Sequence, residues 1–169
     1  MKGKLSKKRQ IEIDIEISNI LLLVDMTYPE NGLQEIIEAY HGIKAYEFDF
    51  ENDSDRICGA IRYDDEQHAK IFINKALSPA RKTFTLAHEF GHYILHPNQA
   101  NFRLDYMRYD DSEESMKETE ANYFAAALLM PRERFNRIYK LLHDESRVAK
   151  YFGVSIAAVR IRLQWIQSN

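Results

Sequence analysis

Twelve consecutive residues constrain this chain more than any others: Thr85-Leu86-Ala87-His88-Glu89-Phe90-Gly91-His92-Tyr93-Ile94-Leu95-His96. Their periodicity predicts a helix, and within it stands His-Glu-x-x-His. Four residues make about one helical turn, so His88 and His92 project from one face. Two imidazoles at that spacing can share one tetrahedral zinc ion. Glu89 is offset from them and reaches a water at the ion rather than the ion itself. Two ligands, a general base and an open coordination position are the parts of a zinc hydrolase. Phe84, Ala87, Gly91 and Leu95 share the histidines' stripe, so that face points inward. A glycine inside a helix lowers its stability by about 1 kcal/mol against alanine. Gly91 therefore makes sense where a second element must come close. The bland alternative, a helix with two buried histidines and no metal, has to find other partners for both rings.

The 169 residues make one domain in the simplest reading, and 45% hydrophobic residues suffice for a packed core. A formal net charge of −3 does not suit a general nucleic-acid binder. The single cysteine, Cys58, excludes an internal disulfide and a cysteine-rich zinc site, and its apolar surroundings suggest a packed thiol. No run of apolar residues is long enough to span a membrane. The basic N-terminus leads into Ile11-Glu12-Ile13-Asp14-Ile15-Glu16, whose alternating acids are foreign to a signal-peptide core. The expectation is a soluble, cytoplasmic protein.

Residues 1–9 read as a disordered basic tip. In residues 10–26 a strand-like alternation (Ile11, Ile13, Ile15, Ile17) competes with helical spacing (Ile13, Ile17, Ile20, Leu21, Val24), and the length of the run favours a helix. A short amphipathic helix is predicted over 33–40, with Gly42 as its left-handed cap. Three strand-like runs follow, 43–50, 56–63 and 69–74, separated by polar turns. They predict an antiparallel meander. His68 falls in one of those turns and reads as solvated. Ser78-Pro79 opens the central helix as cap and first residue, and Pro97 ends it at His96. Residues 97–114 read as an irregular aromatic and acidic connection. Helices are then expected over 116–130, capped by Ser115, and over 132–142. The fold class is α+β.

A catalytic zinc usually takes three protein ligands. His96 continues the four-residue series, but lies about 12 Å along a straight helix from His88, too far to share an ion with it. The better source is Lys117-Glu118-Thr119-Glu120-Ala121-Asn122-Tyr123-Phe124-Ala125. On a helix whose buried face is Ala121, Phe124, Ala125, Leu128 and Leu129, Glu118 lies about 60° from the centre and Glu120 about 100°. Glu118 is preferred, with Glu120 as its competitor. Asn122 is one turn beyond Glu118 and can hold a histidine ring nitrogen or the carboxylate.

With these two stretches, residues 81–96 and 118–131, the chain resembles the ImmA/IrrE metallopeptidases, loosely from about residue 30 onward. The resemblance implies a compact, thermolysin-like (gluzincin-type) fold with a small antiparallel sheet, the His-Glu-x-x-His helix and C-terminal helices. It implies zinc on His88, His92 and Glu118, with Glu89 as the base. Glu118-x-x-x-Asn122 looks like the Glu-x-x-x-Asp of thermolysin-like enzymes. Phe90 stands where the family more often has leucine. With Asn169 as its last residue, the chain is expected to lack the additional sensor-like domain of longer members. Residues 1–130 are expected to form the peptidase domain, and 131–169 a helical segment packed as part of the same unit.

In that last segment, Ala149-x-x-x-Gly153-Val154-Ser155-x-x-x-Val159 matches a helix-turn-helix, and eight basic residues against three acidic ones give it a charge of +5. The would-be reading helix begins Ser155-Ile156-Ala157-Ala158, with almost nothing to hydrogen-bond base edges. That argues against direct DNA binding and for packing or substrate docking. The expected function is zinc-dependent peptide hydrolysis. His96, Tyr106 and Tyr109 are open candidates for stabilising the oxyanion. The family resemblance implies a helix-turn-helix repressor of a mobile element or stress operon as the protein substrate. A different class of reading keeps the zinc without the chemistry: a regulator or antitoxin-like partner that works by binding. Glu89 favours the enzyme, because a structural zinc has no use for a base beside an open position.

Overall fold

A computed structural model describes residues 5–51, 57–64, 68–97, 102–106 and 114–168; of 102–106, 114 and 115 it describes the backbone alone. The chain runs α1 (Lys7–Val24), α2 (Leu33–His41), β1 (Lys44–Phe48), β2 (Ile57–Tyr63), β3 (Ala69–Asn74), α3 (Pro79–Leu95), β4 (Phe102–Tyr106), α4 (Glu114–Leu129), α5 (Arg132–Leu142), α6 (Glu145–Phe152) and α7 (Ile156–Gln167). Helices and one mixed sheet make this an α+β protein. No helix among the described residues is long and apolar enough to cross a membrane.

Helix α1 starts earlier than expected. Ser6 caps it, accepting the Arg9 N–H at 3.2 Å, and residues 7–9 are helical rather than part of a disordered tip. Leu5 is buried, and the Gln10 amide donates to its carbonyl at 3.0 Å. Along α1 the buried residues are Gln10, Ile13, Ile17 and Ile20, whereas Ile11 and Ile15 are exposed. The helical spacing thus wins over the alternation. Helix α2 ends on Gly42, whose φ of 66° is left-handed. Ser78 and Pro79 open α3 as the sequence predicts, and His96 is its C-terminal cap.

The sheet departs from the expected meander. Its strand order is β1-β3-β2-β4, with β1 parallel to β3 and the other pairs antiparallel. Ile57, Cys58, Gly59, Ala60 and Ile61 are all buried, so β2 belongs inside the sheet with a neighbour on each side. Strand β1 carries Lys44 and Glu47, is largely exposed, and takes an edge. Alternation along a strand says which side chains share a face but not which strand lies alongside. The second neighbour of β2 is β4, which falls in the stretch expected to be irregular. Phe102-Arg103-Leu104-Asp105-Tyr106 does alternate, but it is short and set among other aromatics and acids.

Helix α4 is the centre of the molecule: from Ala121 to Met130 every residue except Asn122 is buried. It begins at Glu114, so Ser115 is inside the helix rather than its cap. Helix α3 lies against α4, and Gly91 packs directly on Phe124. A Cβ built there would sit 3.0 Å from Cδ1 and 3.2 Å from Cβ of Phe124. The C-terminal helices add Phe135, Ile138, Val148, Phe152, Val154 and Val159 to the same hydrophobic cluster. Arg162 of α7 is 1% exposed. Its Nε donates to the Met130 carbonyl at 3.0 Å, and its guanidinium lies 5.6 Å from the centre of the Tyr123 ring. Tyr123 in turn donates its hydroxyl to Asp14 at 3.0 Å. One buried cation therefore links α7, α4 and α1, and it is withdrawn from the basic surface that the sequence suggested for this segment.

Two outcomes follow from this packing. Gly91→Ala should destabilise the protein by about 1–2 kcal/mol, since overpacking at Phe124 outweighs the gain in helix propensity; a denaturant titration measures it. A chain truncated after Met130 should show no cooperative unfolding transition by circular dichroism, because the buried face of α4 would be left in water.

Candidate metal centre

The first turns of α3 are held by Ser78, and its middle is buried: His88, Glu89, Phe90 and His92 are at most 3% exposed, and Gly91 is buried with them. The four-residue spacing brings His88 Nε2 and His92 Nε2 within 3.1 Å of each other. Glu118, on the first turns of α4, closes a triangle with them: Oε2 is 3.2 Å from His88 Nε2, and Oε1 is 3.2 Å from His92 Nε2. His88, His92 and Glu118 form a group that can offer one ligand atom each to a single ion. A tetrahedral ion with bonds of about 2.0–2.1 Å spaces its ligand atoms about 3.3–3.4 Å apart. The two ring nitrogens, 3.1 Å apart, each with a Glu118 oxygen at 3.2 Å, are spaced close to that.

The hydrogen-bond partners behind the triangle decide its chemistry. His88 Nδ1 is 3.0 Å from Asn122 Oδ1, an acceptor, so Nδ1 carries the proton and Nε2 presents a lone pair. His96 Nε2 is 3.1 Å from Glu120 Oε2 and donates to it, which leaves His96 Nδ1 as an acceptor. That nitrogen is 2.9 Å from His92 Nδ1, so His92 donates there and its Nε2 is also bare. Three electron-rich atoms thus converge, two imine nitrogens and a carboxylate. They repel one another unless a cation lies among them. The donor set, nitrogen and carboxylate oxygen, suits zinc.

Glu89 is fully buried beside the pair. It faces β2 where that strand carries Gly59: a Cβ built on Gly59 would lie 3.4 Å from Glu89 Oε1 and 2.8 Å from Thr85 Cγ2. The absence of a side chain there lets α3 settle onto the sheet with the carboxylate intact. Nothing in the sequence alone singled out Gly59.

Glu120 turns away from the triangle. It takes both prongs of Arg9, Nε to Oε1 at 2.9 Å and Nη2 to Oε2 at 2.8 Å. Burial pushes the Glu120 carboxyl up, but the bonds from Arg9 and His96 outweigh it and hold it below its ordinary range. The Arg9 guanidinium is raised, chiefly by its bond to Glu120. Of the sequence candidates, then, His88, Glu89, His92, Glu118 and Asn122 come together. His96 has both ring nitrogens engaged, on the far side of His92 from the triangle. Tyr106 is on β4, where the backbone alone is described, and Tyr109 lies outside the described residues. His68 is exposed. Arg9 was missed because it stands 111 residues from Glu120 in the chain, in a run that reads as a basic tip. A groove of about 300 Å³ lies elsewhere, between the start of α2, β1 and the first turns of α3, and none of the ligand candidates lines it.

The model of a peptidase family, Peptidase M78, described as the IrrE N-terminal-like domain, matches residues 38–164. The radiation response metalloprotease IrrE of Deinococcus radiodurans is 43% identical over 68 residues, 40% of this chain and 21% of that one. Its namesake from Deinococcus deserti is 43% identical over 72 residues, 42% of this chain and 25% of that one. The matched stretch thus spans about a fifth to a quarter of these relatives' length. A solved structure, a Mycobacterium tuberculosis transcriptional regulator, superposes with a TM-score of 0.62 at 21% identity, over 92% of this chain and 48% of that one. At that identity it speaks for the fold alone.

Glu118→Ala should abolish stoichiometric metal uptake, whereas Glu120→Ala should still bind an ion, more weakly. Metal content by mass spectrometry after dialysis distinguishes them, and the reverse order would exchange the roles of the two glutamates.

Proposed function

The chain belongs to the IrrE N-terminal-like peptidase family, and from that premise we propose that it is a zinc-dependent endopeptidase whose substrate is a helix-turn-helix transcriptional repressor. The observation that carries the reading is the convergence of ligand atoms from His88, His92 and Glu118 with a buried carboxylate, Glu89, beside it. A purely structural metal site has no need of that carboxylate.

His88, His92 and Glu118 would hold the zinc. The ion, when bound, supplies Lewis acidity: it acidifies water and polarises a carbonyl. Glu89 takes the proton of the attacking water as its oxygen bonds to the scissile carbonyl carbon. Glu89 then delivers that proton to the amide nitrogen as the carbon–nitrogen bond breaks. Burial serves this work, since a carboxylate shielded from bulk water keeps its proton for the leaving amine. Asn122 and His96 set the tautomers of His88 and His92, so both rings are ready to bind metal without rearrangement. His96 has both ring nitrogens engaged, which favours Tyr106 or Tyr109 as the residue that would stabilise the oxyanion.

The family resemblance supports the repressor as substrate and relief of repression as the result. The C-terminal helices serve packing and docking rather than DNA reading. Arg162 is buried, and the exposed start of α7 offers Ile156 and Ala157.

The test is co-expression with a helix-turn-helix repressor encoded beside the gene, comparing the unaltered protein with Glu89→Gln. The expected result is clipping by the unaltered protein alone, with the variant losing at least about a hundredfold in rate. Equal clipping by both would remove Glu89 from the mechanism. Co-purification without clipping would favour a regulator that acts by binding.

A further inference from the structure

Three side chains connect the candidate ligand His92 to the surface in a single hydrogen-bonded line. His92 Nδ1 meets His96 Nδ1 at 2.9 Å, His96 Nε2 meets Glu120 Oε2 at 3.1 Å, and Glu120 meets Arg9 through two bonds of 2.9 and 2.8 Å. Side-chain exposure rises along the line, from 1% at His92 through 6% and 14% to 33% at Arg9. The four groups come from three helices, and Arg9 precedes the residues 38–164 that the family model matches.

Each link constrains the next because a neutral imidazole carries only one proton. Arg9 has no acceptor, so it holds Glu120 as an anion that can only accept. Glu120 then demands the proton on His96 Nε2. His96 Nδ1 is left as an acceptor and demands the proton on His92 Nδ1. The lone pair of His92 must therefore be on Nε2, facing His88 and Glu118. Removing the guanidinium releases the carboxylate, and with it the orientation of both rings.

We propose that α1 is a working part of the metal centre, with Arg9 as a positioning residue that fixes the tautomer and angle of His92 through Glu120 and His96. This rests on the reading of His88, His92 and Glu118 as zinc ligands. By linkage, an ion that binds better when α1 is docked must also hold α1 in place. Metal loading then tightens a helix whose other moorings are Ile13, Ile17, Ile20 and the Tyr123–Asp14 hydrogen bond. Partners of metal-ligating histidines ordinarily matter by about 10–100-fold in metal affinity.

The experiment measures zinc affinity of the full chain against a competing chelator for the unaltered protein, Arg9→Met, Glu120→Gln and the double variant. Glu12→Gln, which removes the second ion pair of Arg9 and an exposed one to Lys8 but leaves Glu120 untouched, is the control. Arg9→Met and Glu120→Gln should each bind zinc about 10–100-fold more weakly. The double variant should be no worse than Glu120→Gln, since Arg9 acts through Glu120, and the control should match the unaltered protein. Amide exchange of residues 7–20 should slow on adding zinc to the unaltered protein and change far less in Arg9→Met. Should Arg9→Met fail to fold, Arg9→Lys keeps the charge without the two-pronged fork and should show a smaller loss. Unchanged affinity in the Arg9 variant that folds, or full additivity in the double variant, overturns the proposal while leaving the metal site intact. An unaltered protein that takes up no zinc overturns both.

Discussion

The approach of α3 to α4 at Gly91 and Phe124 is the constraint on which the rest depends. The two helices carry every ligand candidate between them: His88 and His92 on one, Glu118 on the other. The two rings are 3.1 Å apart and each has its own Glu118 oxygen at 3.2 Å, so a shift of one carbon–carbon bond length between the helices would take Glu118 out of reach. Gly91 permits the contact by presenting no side chain, and the small residues Ala121, Ala125, Ala126 and Ala127 keep α4 slender through the core. Gly59 does the equivalent on the other side of α3, where the helix rests on the sheet. The centre is set by two absences of side chain as much as by the side chains it displays.

Around this pair the polar interior is arranged so that each buried proton has one place to be. Asn122 settles His88; His96 settles His92; Glu120 settles His96; Arg9 settles Glu120. The line ends where solvent begins, at a guanidinium that does not lose its proton. A second cation, the buried Arg162, joins α7 to the Met130 carbonyl and the Tyr123 ring, and Tyr123 passes the connection to Asp14 of α1. The first and last helices are thus both moored to α4 through charged groups, as well as through their apolar faces. The consequence for function is rigidity at the ligand face: the helix that supplies Glu118 is held from both ends of the chain.

The local signals were legible in the sequence. Ser78-Pro79 starts α3, Gly42 and Gly153 take left-handed caps, Ser155 caps α7, and the helical pattern of α1 prevails over its strand-like rival. These features depend on residues within a turn or two of one another. Strand pairing was not legible. The parallel register of β1 on β3 and the addition of β4 beside β2 depend on which faces must be buried by the whole molecule. The start of α1 is also not legible, because five basic residues among the first nine suggest a solvated tip, whereas Leu5 is buried in the core and Arg9 pairs with Glu120 far along the chain.

The same division runs through the metal centre. Sequence by itself determined that His88 and His92 share a face with Glu89 beside them, since a helix of 3.6 residues per turn allows nothing else. It also narrowed the third ligand to two glutamates a residue apart. Tertiary structure alone decided between their positions, by turning Glu118 to the histidines and Glu120 to Arg9. The reason is physical: both carboxylates lie near the edge of the buried face of α4, where helical geometry ranks them only weakly. A cation arriving from a helix 111 residues away is needed to draw one of them aside.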